Sequence, residues 1–121
     1  MNILIVDDTK LSRMTIKKRL PPAIKENATI REGSNGTEAV RLYKEQKADI
    51  VFLDLTMPEM DGFEALAHIR EFDRDARVYV VTADIQAKSK EKVINLGATG
   101  IEAKPISAER LAEIFSALSG G

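Results

Sequence analysis

Three short apolar runs constrain the fold of this chain more than any other feature. They cover residues 3–6, 50–53 and 78–81, and a polar residue directly follows each of them. A run of four apolar residues, rich in β-branched and aromatic side chains, is typical of a strand buried on both faces. Segments with helical periodicity separate these runs. The chain is therefore predicted to form a parallel sheet whose strands are joined by crossover helices.

Capping residues mark where several helices begin and end. The N-terminal capping patterns begin at Asn35, Asp61 and Ser107. Pro21 and Pro22 end the first helix, which has about ten residues, and Gly97 is a natural C-terminal cap for the fourth, over residues 88–96. The apolar residues expected along the helices are Leu11, Met14, Leu20, Ala39, Val40, Tyr43, Phe63, Leu66, Ile69, Phe72, Ala108, Leu111, Ala112, Phe115 and Leu118.

Residues 28–32 and 99–103 complete a set of five strands that alternate with five helices. The strand order 2-1-3-4-5 places the most apolar strands in the centre and the alternating second strand at an edge. We therefore predict a doubly wound (βα)5 α/β fold in three layers, with helices on both faces of the sheet. A chain of 121 residues is long enough for one domain, 1–121, and we expect residues 119–121 to be a flexible tail.

Composition excludes several classes of protein. The formal net charge of −1 gives no overall field toward nucleic acid or an anionic membrane. The absence of Cys excludes disulfides and thiolate metal sites, and it fits a reducing compartment. No apolar run approaches the length of a membrane span or a signal peptide. We expect a cytoplasmic protein with no direct contact to nucleic acid or membrane.

Polar residues follow the strands at one edge of the predicted sheet. Asp7 and Asp8 follow the first strand, Asp54 the third, Thr82 ends the fourth, and Lys104 follows the fifth. In an open parallel sheet, ligands bind beyond the carboxyl ends of the strands, where the winding reverses. We therefore expect these five side chains to converge between the first and third strands.

The predicted cluster suits a metal ion and a phosphoryl group. Three carboxylates within a few ångströms repel one another, and a hard divalent cation such as Mg²⁺ relieves that repulsion. Three carboxylates, one ammonium and one divalent cation sum to zero charge, so the site is poised to accept an anion. In phosphoryl transfer, Asp54 would be the nucleophile, while Lys104 and the Thr82 hydroxyl would contact the phosphoryl oxygens.

Simpler interpretations exist for each residue taken alone. Asp7 and Asp8 are typical of residues that cap the start of a helix, and Asp54 is typical of a turn residue. Lys104 by itself would be a solvated lysine. His68, the only histidine, lies on a charged helix and is expected at the surface, as is the lysine-rich segment 88–92. Only the convergence of these residues favours the functional interpretation.

Five short motifs together carry a family resemblance. They are Val-Asp-Asp at 6–8, Leu-Asp at 53–54, Met-Pro-Glu-Met-Asp-Gly at 57–62, Val-Thr-Ala at 81–83 and Lys-Pro at 104–105. In this order and at these spacings, they resemble the receiver domain of bacterial response regulators over nearly the whole chain. The resemblance implies a flavodoxin-like fold and a role in two-component signalling, as in chemotaxis.

The resemblance also implies a phosphorylation site and a metal site. Asp54 would take a phosphoryl group from the phosphohistidine of a sensor histidine kinase or a phosphotransfer protein. Mg²⁺, with Mn²⁺ as a substitute, would be bound by Asp8, Asp54 and the backbone carbonyl of Thr56, and by Asp7 through a water molecule.

Further residues of the family's switch map onto the end of the sheet. Lys104 would contact the phosphoryl group, Thr82 would move toward it, and the Lys104–Pro105 peptide bond would be cis. The family often carries an aromatic residue where this chain has Ile101. Since isoleucine has no ring to rotate, we expect the switch to act through residues 83–87 and the following helix.

Two more positions, Thr56 and Asp84, would flank the phosphoryl group two residues after Asp54 and Thr82. In the family such positions tune hydrolysis of the acyl phosphate. The sequence leaves open whether Asp84 repels or orients the attacking water.

The partner is expected to bind a surface formed by the fourth helix, fifth strand and fifth helix. The residues expected there are Lys90, Val93, Ile94 and Ala103. The output protein is not identified, and the domain would act as a monomer or as a phosphorylation-dependent dimer, standing alone or as part of a longer chain.

Three other functions fit the sequence less well. A phosphatase of the haloacid dehalogenase type requires a second Asp two residues after the nucleophile, where this chain has Thr56, and a cap insertion for which it has no room. A flavin-binding protein requires a phosphate loop after the first strand, where Asp7 and Asp8 would repel phosphate. A receiver that is never phosphorylated would not need all five site residues.

Overall fold

A parallel five-stranded sheet forms the centre of the computed structural model, which describes residues 1–55, 60–83 and 86–119. The strands are β1 (Asn2–Val6), β2 (Thr29–Gly33), β3 (Ile50–Leu53), β4 (Val78–Thr82) and β5 (Gly100–Ala103). The helices are α1 (Lys10–Arg19), α2 (Pro22–Asn27), α3 (Gly36–Glu45), α4 (Gly62–Phe72), α5 (Ala87–Asn95) and α6 (Ala108–Ser119).

The strand order is β2-β1-β3-β4-β5, which confirms the predicted topology. Every residue of β1 and β3 is buried, as the continuous apolar runs predicted. The register pairs Val6 of β1 with Leu53 of β3, and Leu53 in turn with Val80 of β4. The strands β1 and β3 therefore end at the same level, so the residues that follow them are neighbours, and β4 continues two residues further to Thr82.

Side chains alternate between two apolar cores, one on each face of the sheet. Leu4, Val6 and Leu53 face α3, α4 and α5, where they contact residues such as Leu66 and Ile69. Ile3, Ile5 and Phe52 face α1 and α6. Both cores extend over several strands, so the sheet forms the middle layer of three.

The helices agree with the prediction except for one additional element. The two prolines end α1 at Arg19, as expected, but α2 begins at Pro22, so the described residues form six helices where five were predicted. Proline has no amide hydrogen to lose at the first position of a helix, and its φ angle already suits the helix. The proline pair that ends α1 therefore also starts α2, with Pro22 as its first residue.

Several predicted helix faces are only partly buried. Leu11 is 75% exposed, Met14 36% and Phe72 46%, whereas Ile16, which was not on the predicted face of α1, is buried. On α6, Ala108 and Ala112 are exposed, and Ile114 is buried in their place. The larger side chain removes more apolar area from water, so it defines the buried stripe.

The predicted caps are present. Asn35 accepts a hydrogen bond from the amide of Glu38, Asp61 from that of Glu64, and the Ser107 hydroxyl from that of Arg110. Gly97 follows α5 with a φ angle of +97°, a conformation that favours glycine. Ser119, expected to begin the flexible tail, is the last residue of α6, and residues 120–121 lie outside the described part of the chain.

Charged side chains lie along both edge strands. Arg31 of β2 donates to the backbone carbonyls of Leu42 and Gln46 at the end of α3. Glu102 of β5 forms two hydrogen bonds with Arg110 of α6. These contacts tie each edge strand to the helix beside it.

None of the helices in the described residues is long and apolar enough to cross a membrane.

Candidate functional site

The ends of β1 and β3 bring two aspartates side by side. Asp7 follows Val6 and Asp54 follows Leu53, and these two strand residues are paired in the sheet. The amide of Asp54 donates to the carbonyl of Val6 at 3.0 Å, which continues the pairing beyond the strands. The topology therefore fixes the position of both carboxylates.

Asp8 completes a cluster of three carboxylates. One oxygen from each of Asp7, Asp8 and Asp54 lies within 4.8 Å of the other two. Asp7 is 2% exposed and Asp54 6%, whereas Asp8 is exposed. Carboxylate oxygens are the ligands that hard divalent cations prefer, and the open side at Asp8 leaves room for water and a ligand. The donor set therefore fits an ion such as Mg²⁺.

Lys104 reaches the cluster from the loop after β5. Its Nζ lies 2.6 Å from Asp7 Oδ2 and 3.5 Å from Asp54 Oδ1. Its amide donates to the carbonyl of Thr82 at 2.8 Å, so the ends of β4 and β5 meet here as well. The predicted cis bond between Lys104 and Pro105 is present. One ammonium thus partly offsets three carboxylate charges.

Burial and charge shift the ionisation of this cluster. Burial raises the pKa of the Asp54 carboxyl from 3.8 to about 6, and the charge of Asp7 adds to this shift while Lys104 opposes it. Burial alone would lower the pKa of the Lys104 ammonium, but its hydrogen bond to Asp7 and the charge of Asp54 outweigh that effect and raise the pKa. Above about pH 6 the site therefore holds several charges at close quarters.

The structure brings together all five predicted side-chain positions at this edge. Thr82 is 2% exposed at the end of β4, and Pro105 follows Lys104 at the surface. Ile101 is half-buried in β5 and packs against the core that faces α3, α4 and α5. Thr56 and Asp84 lie outside the described residues.

Two simpler interpretations are wrong. Asp7 does not cap α1, because the N-cap is Thr9, whose hydroxyl accepts a hydrogen bond from the amide of Ser12. Lys104 is not a freely solvated lysine, because its ammonium is paired with two carboxylates. His68 is exposed on α4, as expected.

The expected partner surface needs one correction. Val93 is fully buried on the inner face of α5, so its side chain is not available to a partner. Lys90 and Ala103 are exposed, and Ile94 is 50% exposed. The helical period places Val93 on the inner face of α5, one position before Ile94 on the outer face.

Sequence reasoning missed two residues that hold Asp7. The Thr9 amide and hydroxyl both donate to Asp7 Oδ1, at 2.9 Å and 3.1 Å. An Arg13 Nη1 donates to the backbone carbonyl of Asp7 at 2.5 Å. The Thr9 contact is a local turn that Asp commonly makes. The Arg13 contact has no such signature, because a backbone carbonyl leaves no mark in the sequence.

Most of the chain matches the model of one protein family. Residues 3–116 match the response regulator receiver domain. Over 115 residues the chain is 41% identical to chemotaxis protein CheY of Bacillus subtilis (strain 168), with 94% of this chain and 93% of that protein aligned. Over 117 residues it is 39% identical to chemotaxis protein CheY of Thermotoga maritima, with 97% and 96% aligned.

A solved structure of similar fold supports the same assignment. It is the CheX-CheY-BeF3-Mg²⁺ complex from Borrelia burgdorferi, which matches with a TM-score of 0.87 and 31% identity over 98% of this chain and 89% of that chain. The carboxylate cluster, the strand order and the matched sequence all lead to one conclusion. The chain belongs to the response regulator receiver domain family and is a phosphoryl-accepting signalling protein rather than an enzyme.

Proposed function

We propose that Asp54 is the residue that accepts the phosphoryl group, from a phosphohistidine of a sensor histidine kinase or phosphotransfer protein. The observation that carries this proposal is the convergence of three carboxylates and Lys104 at the end of β3. Asp54 is buried, yet its pKa of about 6 leaves it mostly ionised at neutral pH. It is therefore a carboxylate ready to act as a nucleophile.

The transfer exchanges one bond to phosphorus for another. An oxygen of Asp54 attacks the phosphorus atom, the bond from phosphorus to the imidazole nitrogen breaks, and an acyl phosphate forms on Asp54. The new group carries additional negative charge into a site that already contains Asp7 and Asp8. Lys104, whose Nζ lies 3.5 Å from Asp54 Oδ1, is placed to contact its oxygens.

A divalent cation supports this chemistry. The proposed ligands of Mg²⁺, for which Mn²⁺ is a substitute, are Asp8, Asp54 and the backbone carbonyl of Thr56, with Asp7 acting through a water molecule. When bound, the ion neutralises charge on the carboxylates and on the phosphoryl oxygens. The Borrelia complex, which contains both Mg²⁺ and BeF3, is consistent with this assignment.

Phosphorylation is proposed to act on partners through the ends of β4 and β5. Thr82 would turn its hydroxyl toward the phosphoryl group, and the change would reach Ile101, Pro105 and the helix α5. The proposed contact surface includes Lys90, Ile94 and Ala103, which are accessible. The domain would work in the cytoplasm, as a single unit over 1–121, and as a monomer or a phosphorylation-dependent dimer.

The test of the phosphorylation site is intact-mass analysis after incubation with acetyl phosphate and Mg²⁺. We expect one added phosphoryl group that is labile to base, and none in Asp54→Asn. Asp75→Asn is a matched control, because Asp75 is exposed in the loop before β4, at the opposite edge of the sheet. Modification of Asp54→Asn at the wild-type yield would overturn the proposal.

The metal site has its own test. Asp8→Ala should weaken Mg²⁺ binding far more than Thr82→Ala, because only Asp8 is a proposed ligand. Equal losses in a calorimetric titration would count against the assignment of Asp8.

A further inference from the structure

One side chain ties the acidic cluster to β2, the edge strand that pairs with β1. Arg13 of α1 donates through Nη1 to the Asp7 carbonyl at 2.5 Å and through Nε to Glu32 Oε1 at 2.9 Å. Its side chain is only 16% exposed. A guanidinium presents its donors in a rigid fork, so the two contacts fix one geometry between β1 and β2.

The carbonyl that Arg13 contacts belongs to the peptide group that joins Asp7 to Asp8. The Asp7 amide is already held by the carbonyl of Gly33 at 3.1 Å, and its carboxylate by Thr9 and Lys104. No hydrogen bond or ion pair to the Asp8 carboxylate is found among the residues that the structure describes. The position of Asp8 therefore depends on the backbone before it.

The cluster needs such a restraint because its charges repel. Three carboxylates with oxygens within 4.8 Å are pushed apart unless the backbone resists, and Asp8 is the exposed member that has room to move away. We propose that Arg13, held in place by Glu32, is a positioning residue that keeps the Asp7–Asp8 peptide oriented for binding a divalent cation. This inference rests on the metal site of the proposed function.

Positioning and simple electrostatics predict opposite effects. Arg13 is a cation close to a cation site, so removing its charge would strengthen Mg²⁺ binding if charge alone mattered. If Arg13 orients the ligands, its removal weakens binding. Outer contacts that orient metal ligands typically contribute about 10-fold to 100-fold in affinity.

Lys17 is a matched control on the same helix. Its Nζ pairs with the other oxygen of Glu32 at 2.9 Å, the same distance as the Arg13 pair. Unlike Arg13, it makes no hydrogen bond or ion pair to Asp7 within the described part of the chain. Lys17→Gln therefore removes one positive charge and one ion pair with Glu32, as Arg13→Gln does. It leaves the contact between Arg13 and the Asp7 carbonyl intact.

The experiment is a Mg²⁺ titration by calorimetry on the metal-free chain of 121 residues. We expect Arg13→Gln to bind Mg²⁺ about tenfold more weakly, Arg13→Lys to recover part of that loss, and Lys17→Gln to bind at least as tightly as wild type. At saturating Mg²⁺, phosphorylation of Arg13→Gln by acetyl phosphate should return close to the wild-type rate. Unchanged or tighter binding by Arg13→Gln would overturn the inference, and so would an equal loss in Lys17→Gln.

Two additional variants keep the outcome decisive. If Arg13→Gln does not fold, Glu32→Gln replaces it in the experiment, because this change removes the ion pair that holds the Arg13 guanidinium. Mg²⁺ binding that is severalfold weaker in Glu32→Gln supports the inference, and wild-type affinity overturns it. Asp8→Ala tests the metal site itself. If Asp8→Ala loses Mg²⁺ binding while the Arg13 variants bind Mg²⁺ normally, only this inference is refuted. If Mg²⁺ binding does not depend on Asp8, both the proposed metal site and this inference are refuted.

Discussion

Replacing Asp54 by asparagine should stabilise the metal-free protein. The pKa of Asp54 rises from 3.8 to about 6 on folding, chiefly because of burial and then because of the charge of Asp7. A shift of about two units corresponds to about 3 kcal/mol at 1.36 kcal/mol per unit. Asparagine has nearly the shape of the protonated carboxyl group, so Asp54→Asn should recover most of this free energy of unfolding.

The pH dependence of the effect follows from the direction of the shift. Between pH 3.8 and about 6 the folded protein binds a proton at Asp54 that the unfolded chain has released. The stability of wild type therefore falls as the pH rises through this window, while the asparagine variant lacks this contribution. The gap between the two proteins should be absent near pH 3.5 and complete above about pH 7.

The assay is urea unfolding with a chelator, at about pH 7.5 and at about pH 4, for wild type, Asp54→Asn and the surface control Asp75→Asn. At neutral pH we expect Asp54→Asn to gain about 2–3 kcal/mol, or about 8–12 °C in Tm for a domain of this size. Addition of Mg²⁺ should narrow the gap, because the ion stabilises the wild-type site. Equal stability at neutral pH, or a gap of the same size at both pH values, would refute the reasoning.

Three further changes test other contacts of the fold and the site. Gly62→Ala would place a Cβ 2.2 Å from the carbonyl oxygen of Asp54, so we expect a loss of about 2 kcal/mol or more in urea unfolding, and wild-type stability would contradict this. Lys104→Met removes the ammonium that lies within 3.5 Å of two carboxylates, so the metal-free variant should lose about 2 kcal/mol of stability. Mg²⁺ should stabilise this variant more than it stabilises wild type. Equal stabilisation of the two proteins in a thermal-shift titration would argue against the charge balance described above. Tyr43→Phe removes a 2.6 Å hydrogen bond to the carboxylate of Asp73 and should cost about 1–2 kcal/mol at neutral pH. That bond lowers the pKa of Asp73, so the cost should shrink as the carboxyl is protonated in acid, and a cost independent of pH would contradict this assignment.

The sheet and the carboxylate cluster could be predicted because both depend on short-range patterns and one topological rule. The apolar runs that became β1 and β3 have no competing helical period. Once the strands are parallel, Asp7, Asp54 and Lys104 must follow strand ends at the same edge. The convergence of these three residues needed no knowledge of individual contacts.

Other features depend on tertiary contacts that the sequence does not encode locally. The helix α2 was missed because Pro22, read as a stop signal, also suits the first position of a helix. Val93 and Ile94 are adjacent apolar residues, and only the packing of α5 on the sheet decides which one is buried. Arg13 was missed because Glu32 lies 19 residues away in the sequence and its second acceptor is a backbone carbonyl.

The charged side chains on the two edge strands restrict how copies of this domain can associate. Arg31 on β2 and Glu102 on β5 are each committed to contacts with a neighbouring helix. Extension of the sheet into a second molecule would compete with these contacts and bring ionised groups close to the new strand. Ribbon-like aggregation is thereby disfavoured at high concentration, and any pairing of two copies is directed to helical surfaces.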